Sequence, residues 1–439
     1  MQAVLMAGGK GTRLWAVTDN KIPKPLVPFC GKTLIERLVE TLVANRITQI
    51  VICVGYLGEQ IVNLLSDGSR YGAKISYVRE EAPLGTAGAL YYAKEFIDSD
   101  FLLLNADLVA DVDFERMLAF HRQKQAIATL FVHPNSHPYD SDIVLKDEHD
   151  RVLQFDFKEN KRDCDYENCT NAGVVIFAPE VLERFTAPKK LALEKDVIAA
   201  LLAEGKPVYA YASPEYVMDV GTPDRLESAQ KAFESGRVAA GNLSHTQKAI
   251  FLDRDGTLNV FKGLITKPEQ IELIAGVPEA LAAMNASDYL ALVVTNQPVI
   301  ARGDCSKEML ALIHKRLYTL LGNAGCYVDD LIYCPHHPDS GYEGEVKELK
   351  VDCDCRKPKT GMIEVLVKKY HIDLSRSFFI GDTYRDVQTG ANAGVKTILI
   401  PSGADVERER FNARADYVVK SLPEALALMG IRFNPEGME

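Results

Sequence analysis

Short apolar runs alternate with amphipathic stretches through the first half of the chain. AVLMA at 3–7, QIVICVG at 49–55, KISYV at 74–78 and FLLLNAD at 101–107 are brief and end in glycine or polar residues, and they read as strands. KTLIERLVETLVANR at 32–46 repeats its apolar positions at helical spacing. Strands alternating with helices predict a mostly parallel sheet, because each parallel pair needs a crossover. A second series of the same kind begins at AIFLD (249–253) and continues through LALVVTN (290–296), SFFIGD (377–382) and VKTILI (395–400). Between the two, FESGRVAAGNLSHTQK is small, polar and aperiodic. The pattern therefore predicts two α/β domains, 1–235 and 248–439, each a mostly parallel sheet flanked by helices, with a linker at 236–247. No internal repeat or low-complexity tract interrupts it.

Composition narrows the possible partners. A chain of 439 residues exceeds one ordinary core and fits two, and 47% hydrophobic with 25% charged residues lets both halves bury one. The net charge of −11 offers no basic field to nucleic acid or an anionic membrane, so any phosphate must be caught by local devices. No apolar run approaches the roughly 18 residues of a membrane helix, and no basic segment precedes a long apolar stretch at the start. A cytoplasmic protein is expected. Nine cysteines, an odd number, argue against a disulfide framework, although four of them fall between Cys326 and Cys355.

In LMAGGKGTRL a strand runs into Gly8, Gly9 and Gly11, which permit a tight backbone and close approach of an anion to amide donors. The spacing is neither that of a Walker A loop nor that of a dinucleotide fingerprint. Arg13 and, in IPKPLVPF, Lys24 add cations suited to a polyphosphate. With this Gly-Gly-x-Gly-Thr-Arg-Leu loop and Pro-Lys-Pro, residues 1 to about 235 resemble the sugar-1-phosphate nucleotidylyltransferase family. The resemblance implies that Gly8, Gly9, Gly11 and Thr12 hold a nucleoside triphosphate. It implies that Asp107 (LLNADL) and Asp219 (YVMDVGTPD) hold Mg²⁺, and that Arg13 and Lys24 neutralise charge developing at phosphorus. Lys158 would meet the sugar's phosphate, and Asn171, Gly173 and Glu194 the sugar. Phe157 and Ala106 depart from the family's glutamate and glycine. PLGTAGAL at 83–90, with Gly85 and Thr86, resembles the nucleotide-recognition loop of mannose-1-phosphate guanylyltransferases and their heptose relatives, which favours GTP. Two alternatives stand beside this one: a uridylyl- or cytidylyltransferase of another sugar phosphate, and a sugar-nucleotide sensor without catalysis.

AIFLDRDGTLN puts two carboxylates one residue apart at a strand end. VVTNQ follows with Thr295 and Asn296, CRKP with Lys357, and FIGDTYRD with Asp382. In this order the motifs resemble the haloacid dehalogenase superfamily, over residues 248 to about 430. The resemblance implies that Asp253 attacks phosphorus, that Asp255 serves as general acid and base, and that Thr295 and Lys357 cancel charge. Asp253, Asp255 and Asp382 would hold Mg²⁺, with Asn296 on the substrate.

Cys334-x-His336 and Cys353-x-Cys355 offer three thiols and an imidazole around a polar loop with few core-forming residues. This set suits a tetrahedral, closed and hence structural zinc, which would fix the adjacent Arg356 and Lys357. His337 in place of His336, or thiols simply buried, are the alternatives. TNQPVIARG and CPHHP…CDCRKPKTGM resemble the D-glycero-D-manno-heptose 1,7-bisphosphate 7-phosphatases more than the histidinol-phosphate phosphatases, with Pro298-Val299 where Ser-Gly is usual. Arg302 and Arg356 would grip a remote phosphate, since a guanidinium fork matches phosphate oxygens. The two resemblances together imply an enzyme that removes the 7-phosphate of a heptose bisphosphate and then joins the resulting heptose 1-phosphate to GMP.

Overall fold

The computed structural model describes residues 1–9, 14, 18–402 and 408–431. Gly11, Thr12 and Arg13 of the glycine-rich loop lie outside the described residues. The chain divides into two compact units, the first comprising Met1–His133, Asp142–Phe157 and Cys169–Asn242, the second Pro134–Ser141, Lys158–Asn168 and Leu243 onward. Within the expected linker the first unit runs on to Asn242, and Arg237–Ala240 forms a helical turn whose Val238 is buried.

In the first unit the strand Gln2–Ala7 lies between Gln49–Val54 and Phe101–Asn105, parallel to both, and Lys74–Arg79 continues the sheet beyond Gln49–Val54. Alternate side chains serve opposite faces. Ala3, Leu5 and Ala7 join one core cluster and Val4 the other. The expected helix is present as Leu34–Ala44. It begins where Thr33 and Glu36 form a reciprocal capping box, and it buries Ile35, Leu38, Val39 and Leu42. Beyond Phe101–Asn105 the sheet changes direction, because Thr170–Phe177 runs antiparallel to that strand and to Ala128–His133. The apolar pattern hides this change. Val174 and Ile176 fill one core and Val175 and Phe177 the other, so the strand reads like its parallel neighbours.

In the second unit six strands follow the order Asp330–Cys334, Tyr289–Asn296, Lys248–Leu252, Phe378–Gly381, Lys396–Leu399 and Tyr417–Val418, with every pairing parallel. The C-terminal ends of the three central strands, from which Asn296, Asp253 and Asp382 issue, therefore share one edge. Residues 134–141 and 158–168 belong to this unit and pack on its helix Lys307–Asn323, where Tyr166 N–H donates to Thr319 Oγ1 (3.0 Å) and Arg316 pairs with Asp165 (3.4 Å). Among the described residues no helix is long and apolar enough to cross a membrane.

Candidate active sites

The first unit has a cleft of about 430 Å³ at the end of Gln2–Ala7, lined by Gly8, Gly9, Lys24, Gly85, Thr86, Asp107 and Asp219. Lys24 is buried and its ammonium bonds both carboxylates, that of Asp107 and, at 2.9 Å, Asp219 Oδ1. Asp219 comes from the strand Tyr216–Asp219, paired antiparallel with Leu108–Asp111, which brings its carboxylate beside that of Asp107. Burial pushes the Asp107 carboxyl up and Lys24 only partly offsets it. Asp107 Oδ1 is buried and has no hydrogen-bond partner among the described residues. An oxygen left in that state is what a hard cation satisfies, so the pair fits Mg²⁺.

Around the cleft, Thr86 Oγ1 accepts from Leu193 N–H (2.7 Å), and Gly85 adopts φ +79° with its Cα against the Leu191 carbonyl, where a Cβ would collide. Asn171 Nδ2 donates to Glu194 Oε1 (3.0 Å) and Asn171 Oδ1 accepts from Gly173 N–H (3.3 Å), so these three do assemble. Burial raises the Glu194 carboxyl. Lys158 falls in the second unit, half exposed, with Nζ 3.7 Å from Asp140. Glu80, unnoticed in the sequence, also lines the cleft. Its carboxylate rests against Gly8 and accepts Leu84 N–H (3.0 Å), and burial raises it.

In the second unit Asp253, Asp382 and Asp386 bring carboxylate oxygens within 4.8 Å of one another. Lys357 Nζ lies 2.8 Å from Asp253 Oδ1 and 2.6 Å from Asp386 Oδ1, and is buried. Burial pushes Asp253 to about 6 against the pull of Lys357. Burial, Asp253 and Asp386 together push Asp382 to about 8, although Ser402 Oγ donates to it (2.6 Å). Three clustered carboxylates, two of them buried, facing one ammonium lack positive charge, and this donor set fits Mg²⁺. Gly256, at φ +81°, abuts the Asp382 carboxylate so closely that a Cβ has no room.

The carboxylates that cluster are not the three named from the sequence. The Asp255 carboxylate is not in the cluster; it accepts Arg254 Nη2 (2.8 Å), Asn259 Nδ2 (3.0 Å) and Gln297 Nε2 (2.9 Å). Burial works to raise it, but Arg254 and these donors outweigh burial and hold it below the usual carboxylate range. Asp386 takes its place among the clustered carboxylates. It escaped notice because it sits at N3 of the helix Tyr384–Ala393, where it also caps Thr383, and reads as an ordinary capping residue. Thr295 is buried and accepts Gln297 Nε2 (3.0 Å). Asn296 grips the Lys357 backbone twice, its Nδ2 donating to Lys357 O (3.2 Å) and its Oδ1 accepting Lys357 N–H (3.0 Å). It thereby positions the lysine.

Cys334, His336, Cys353 and Cys355 converge, with the Cys355 thiol 3.2 Å from those of Cys334 and Cys353 and from His336 Nδ1. This is the donor set of a closed tetrahedral zinc site, and the residues fit it. His337 turns away, its ring packing edge-on against Tyr342 at 5.6 Å. Arg356 Nη1 donates to His336 O (3.0 Å), which ties the loop to the residue before Lys357.

A nucleotidyl transferase model matches residues 2–236, and a HAD-hydrolase-like model matches 354–425. D-glycero-beta-D-manno-heptose-1,7-bisphosphate 7-phosphatase of Pasteurella multocida is 38% identical over 179 residues, 40% of this chain and 94% of that protein. Among solved structures, D,D-heptose 1.7-bisphosphate phosphatase from B. bronchiseptica, complexed with magnesium and phosphate, is 29% identical (TM-score 0.37; 42% of this chain, 98% of that one). HddC from Yersinia pseudotuberculosis is 24% identical (TM-score 0.47; 53% and 99%). This chain therefore belongs over residues 2–236 to the nucleotidyl transferase family, and in its phosphatase half to the family of the D-glycero-beta-D-manno-heptose-1,7-bisphosphate 7-phosphatases.

Proposed function

We propose that the chain is a bifunctional enzyme of nucleotide-activated heptose synthesis. The second unit would hydrolyse the 7-phosphate of D-glycero-D-manno-heptose 1,7-bisphosphate, and the first would transfer GMP from GTP to the heptose 1-phosphate, releasing pyrophosphate. The observation that carries this reading is the recurrence, in two separately built sites, of a buried lysine bridging two aspartates, Lys24 in one and Lys357 in the other. Each is suited to a phosphoryl group that must approach carboxylates.

In the phosphatase reaction Asp253 attacks phosphorus and becomes an aspartyl phosphate. Asp255, which Arg254, Asn259 and Gln297 keep ionised, would serve as general acid only after leaving these donors and taking up a proton, which it gives to the leaving alkoxide and regains from the water that hydrolyses the aspartyl phosphate. Lys357, held by Asn296, cancels phosphoryl charge beside Asp253. Mg²⁺, held by Asp253, Asp382 and Asp386, would supply further neutralisation, and zinc at the four Cys/His ligands would serve only to fix the loop. In the transferase the sugar phosphate oxygen attacks the α-phosphate in line. Lys24 meets the developing charge, and Asp107 and Asp219 would hold a Mg²⁺ that screens the triphosphate.

Glu80 supports guanine as the base. Its carboxylate can accept guanine's adjacent N1–H and N2–H donors, whereas uracil flanks its one N–H with acceptors, and adenine and cytosine pair a donor with an acceptor. The test offers the purified chain heptose bisphosphate, then each NTP, and measures phosphate and pyrophosphate. Phosphate from the 7-position, and pyrophosphate with GTP at least 10-fold faster than with the other NTPs, are expected, with that preference lost in Glu80→Gln. Absence of phosphate release from the bisphosphate would refute the pathway reading.

A further inference from the structure

Tyr342 lies in the loop between the two halves of the Cys/His cluster, at a position neither the nucleophile motifs nor the metal ligands explain. Its ring is flanked by two cations, the Arg302 guanidinium at 4.2 Å and Lys350 Nζ at 4.3 Å from the centroid. Lys350 is locked within the loop, donating to Asp339 O (2.7 Å) and pairing with Glu345 (3.5 Å). Glu345 in turn accepts Gly341 and Tyr342 N–H at 2.8 and 3.1 Å, which fixes the backbone that presents the ring. Arg302 belongs to another segment, the turn that follows Asn296, where its backbone N–H donates to Pro298 O (2.9 Å).

That turn issues from the same sheet edge as Asp253 and is bound to the nucleophile's surroundings by Gln297, whose Nε2 donates to both Asp255 and Thr295. The Cys/His loop is joined to it at two more points. Val346 N–H donates to Ala301 O (3.1 Å), and Gly303, at φ +78°, meets the Gly344 carbonyl with no space for a side chain. Arg302 nevertheless keeps unused donors. Asp304 approaches its Nε to 3.2 Å off the hydrogen-bond direction, and among the described residues the guanidinium makes no hydrogen bond. A guanidinium anchored by its face on an aromatic ring and left with free N–H edges is preorganised for an anion.

We propose that Tyr342 is a positioning residue for substrate selection: with Arg302 and Lys350 both held over its ring, it aims the Arg302 guanidinium at the second phosphate of a bisphosphate whose first phosphate sits at Asp253. The inference rests on the bisphosphate reading above. It gives the Cys/His loop a role in choosing the substrate as well as in holding Arg356. The turnover step at Asp253 does not involve Tyr342, so the effect belongs to KM.

The test compares the full-length protein with Tyr342→Leu and Tyr342→Phe on heptose 1,7-bisphosphate and on p-nitrophenyl phosphate, which has no second phosphate. Tyr342→Leu should raise KM for the bisphosphate about 10-fold with kcat within 2-fold, and leave both constants for p-nitrophenyl phosphate within 2-fold. Tyr342→Phe, which retains the π face, should restore the bisphosphate KM. Equal losses on both substrates, an unchanged KM in Tyr342→Leu, or a Phe variant as impaired as the Leu one would each overturn the proposal. A wild-type protein with no preference for the bisphosphate would instead defeat the underlying substrate reading.

Discussion

Lys24 and Lys357 illustrate what a single position can reveal before a structure exists. Each follows a recognisable motif, Pro-Lys-Pro or Cys-Arg-Lys-Pro, and each is found between two carboxylates. Asp386 and Glu80 were not legible, for a physical reason: one also satisfies a helix N-terminus and the other closes a strand, so local sequence accounts for both without function. Burial of a third kind of carboxyl yields a prediction about stability. Asp329 Oδ2 accepts Ala291 N–H (2.7 Å), yet burial raises its carboxyl to about 7. The folded chain thus keeps a proton that the unfolded chain releases near pH 4, so this group's contribution to stability falls as pH rises from about 4 to about 7 and is level above that. Asp329→Asn, which keeps the acceptor, should gain stability over the wild type at pH 8, by at most about 4 kcal/mol, and gain little at pH 4.5. Urea melts of both proteins at the two pH values check this; an equal effect at both would remove ionisation as the cause.

At the scale of elements, apolar runs located the strands that carry the sites, since AIFLD, LALVVTN and SFFIGD all deliver their terminal polar residues to one edge of a parallel sheet. Direction was not legible in the same way: Thr170–Phe177 is covered on both faces, and a doubly buried strand has no alternation to distinguish it. The Cys/His loop was legible because three thiols and an imidazole flank a polar segment too poor in apolar residues to order itself, although the choice of His336 over His337 needed the packing of His337 on Tyr342. The order of this loop should therefore depend on metal. Elemental analysis should find about one zinc per chain, and Cys353→Ser should lose it. Protease should then cut between Asp339 and Lys350 in the variant while the wild type resists. Zinc-free wild-type protein with a resistant loop would refute the dependence.

At the scale of the molecule, the two successive strand–helix series fall in different compact units, and the division between those units does not follow sequence order. Residues 134–141 and 158–168 join the second unit through contacts such as Tyr166 with Thr319, far apart in the chain and invisible to any local pattern. The central claim is that two lysine–carboxylate centres act in turn on one sugar. The most direct measurement follows heptose 1,7-bisphosphate and GTP with the wild type, Asp253→Asn and Lys24→Ala, scoring heptose 1-phosphate and GDP-heptose by mass spectrometry. The wild type should form GDP-heptose. Lys24→Ala should stop at heptose 1-phosphate, and Asp253→Asn should leave the bisphosphate intact yet still convert added heptose 1-phosphate. GDP-heptose from Lys24→Ala, or failure of Asp253→Asn on the monophosphate, would contradict the account.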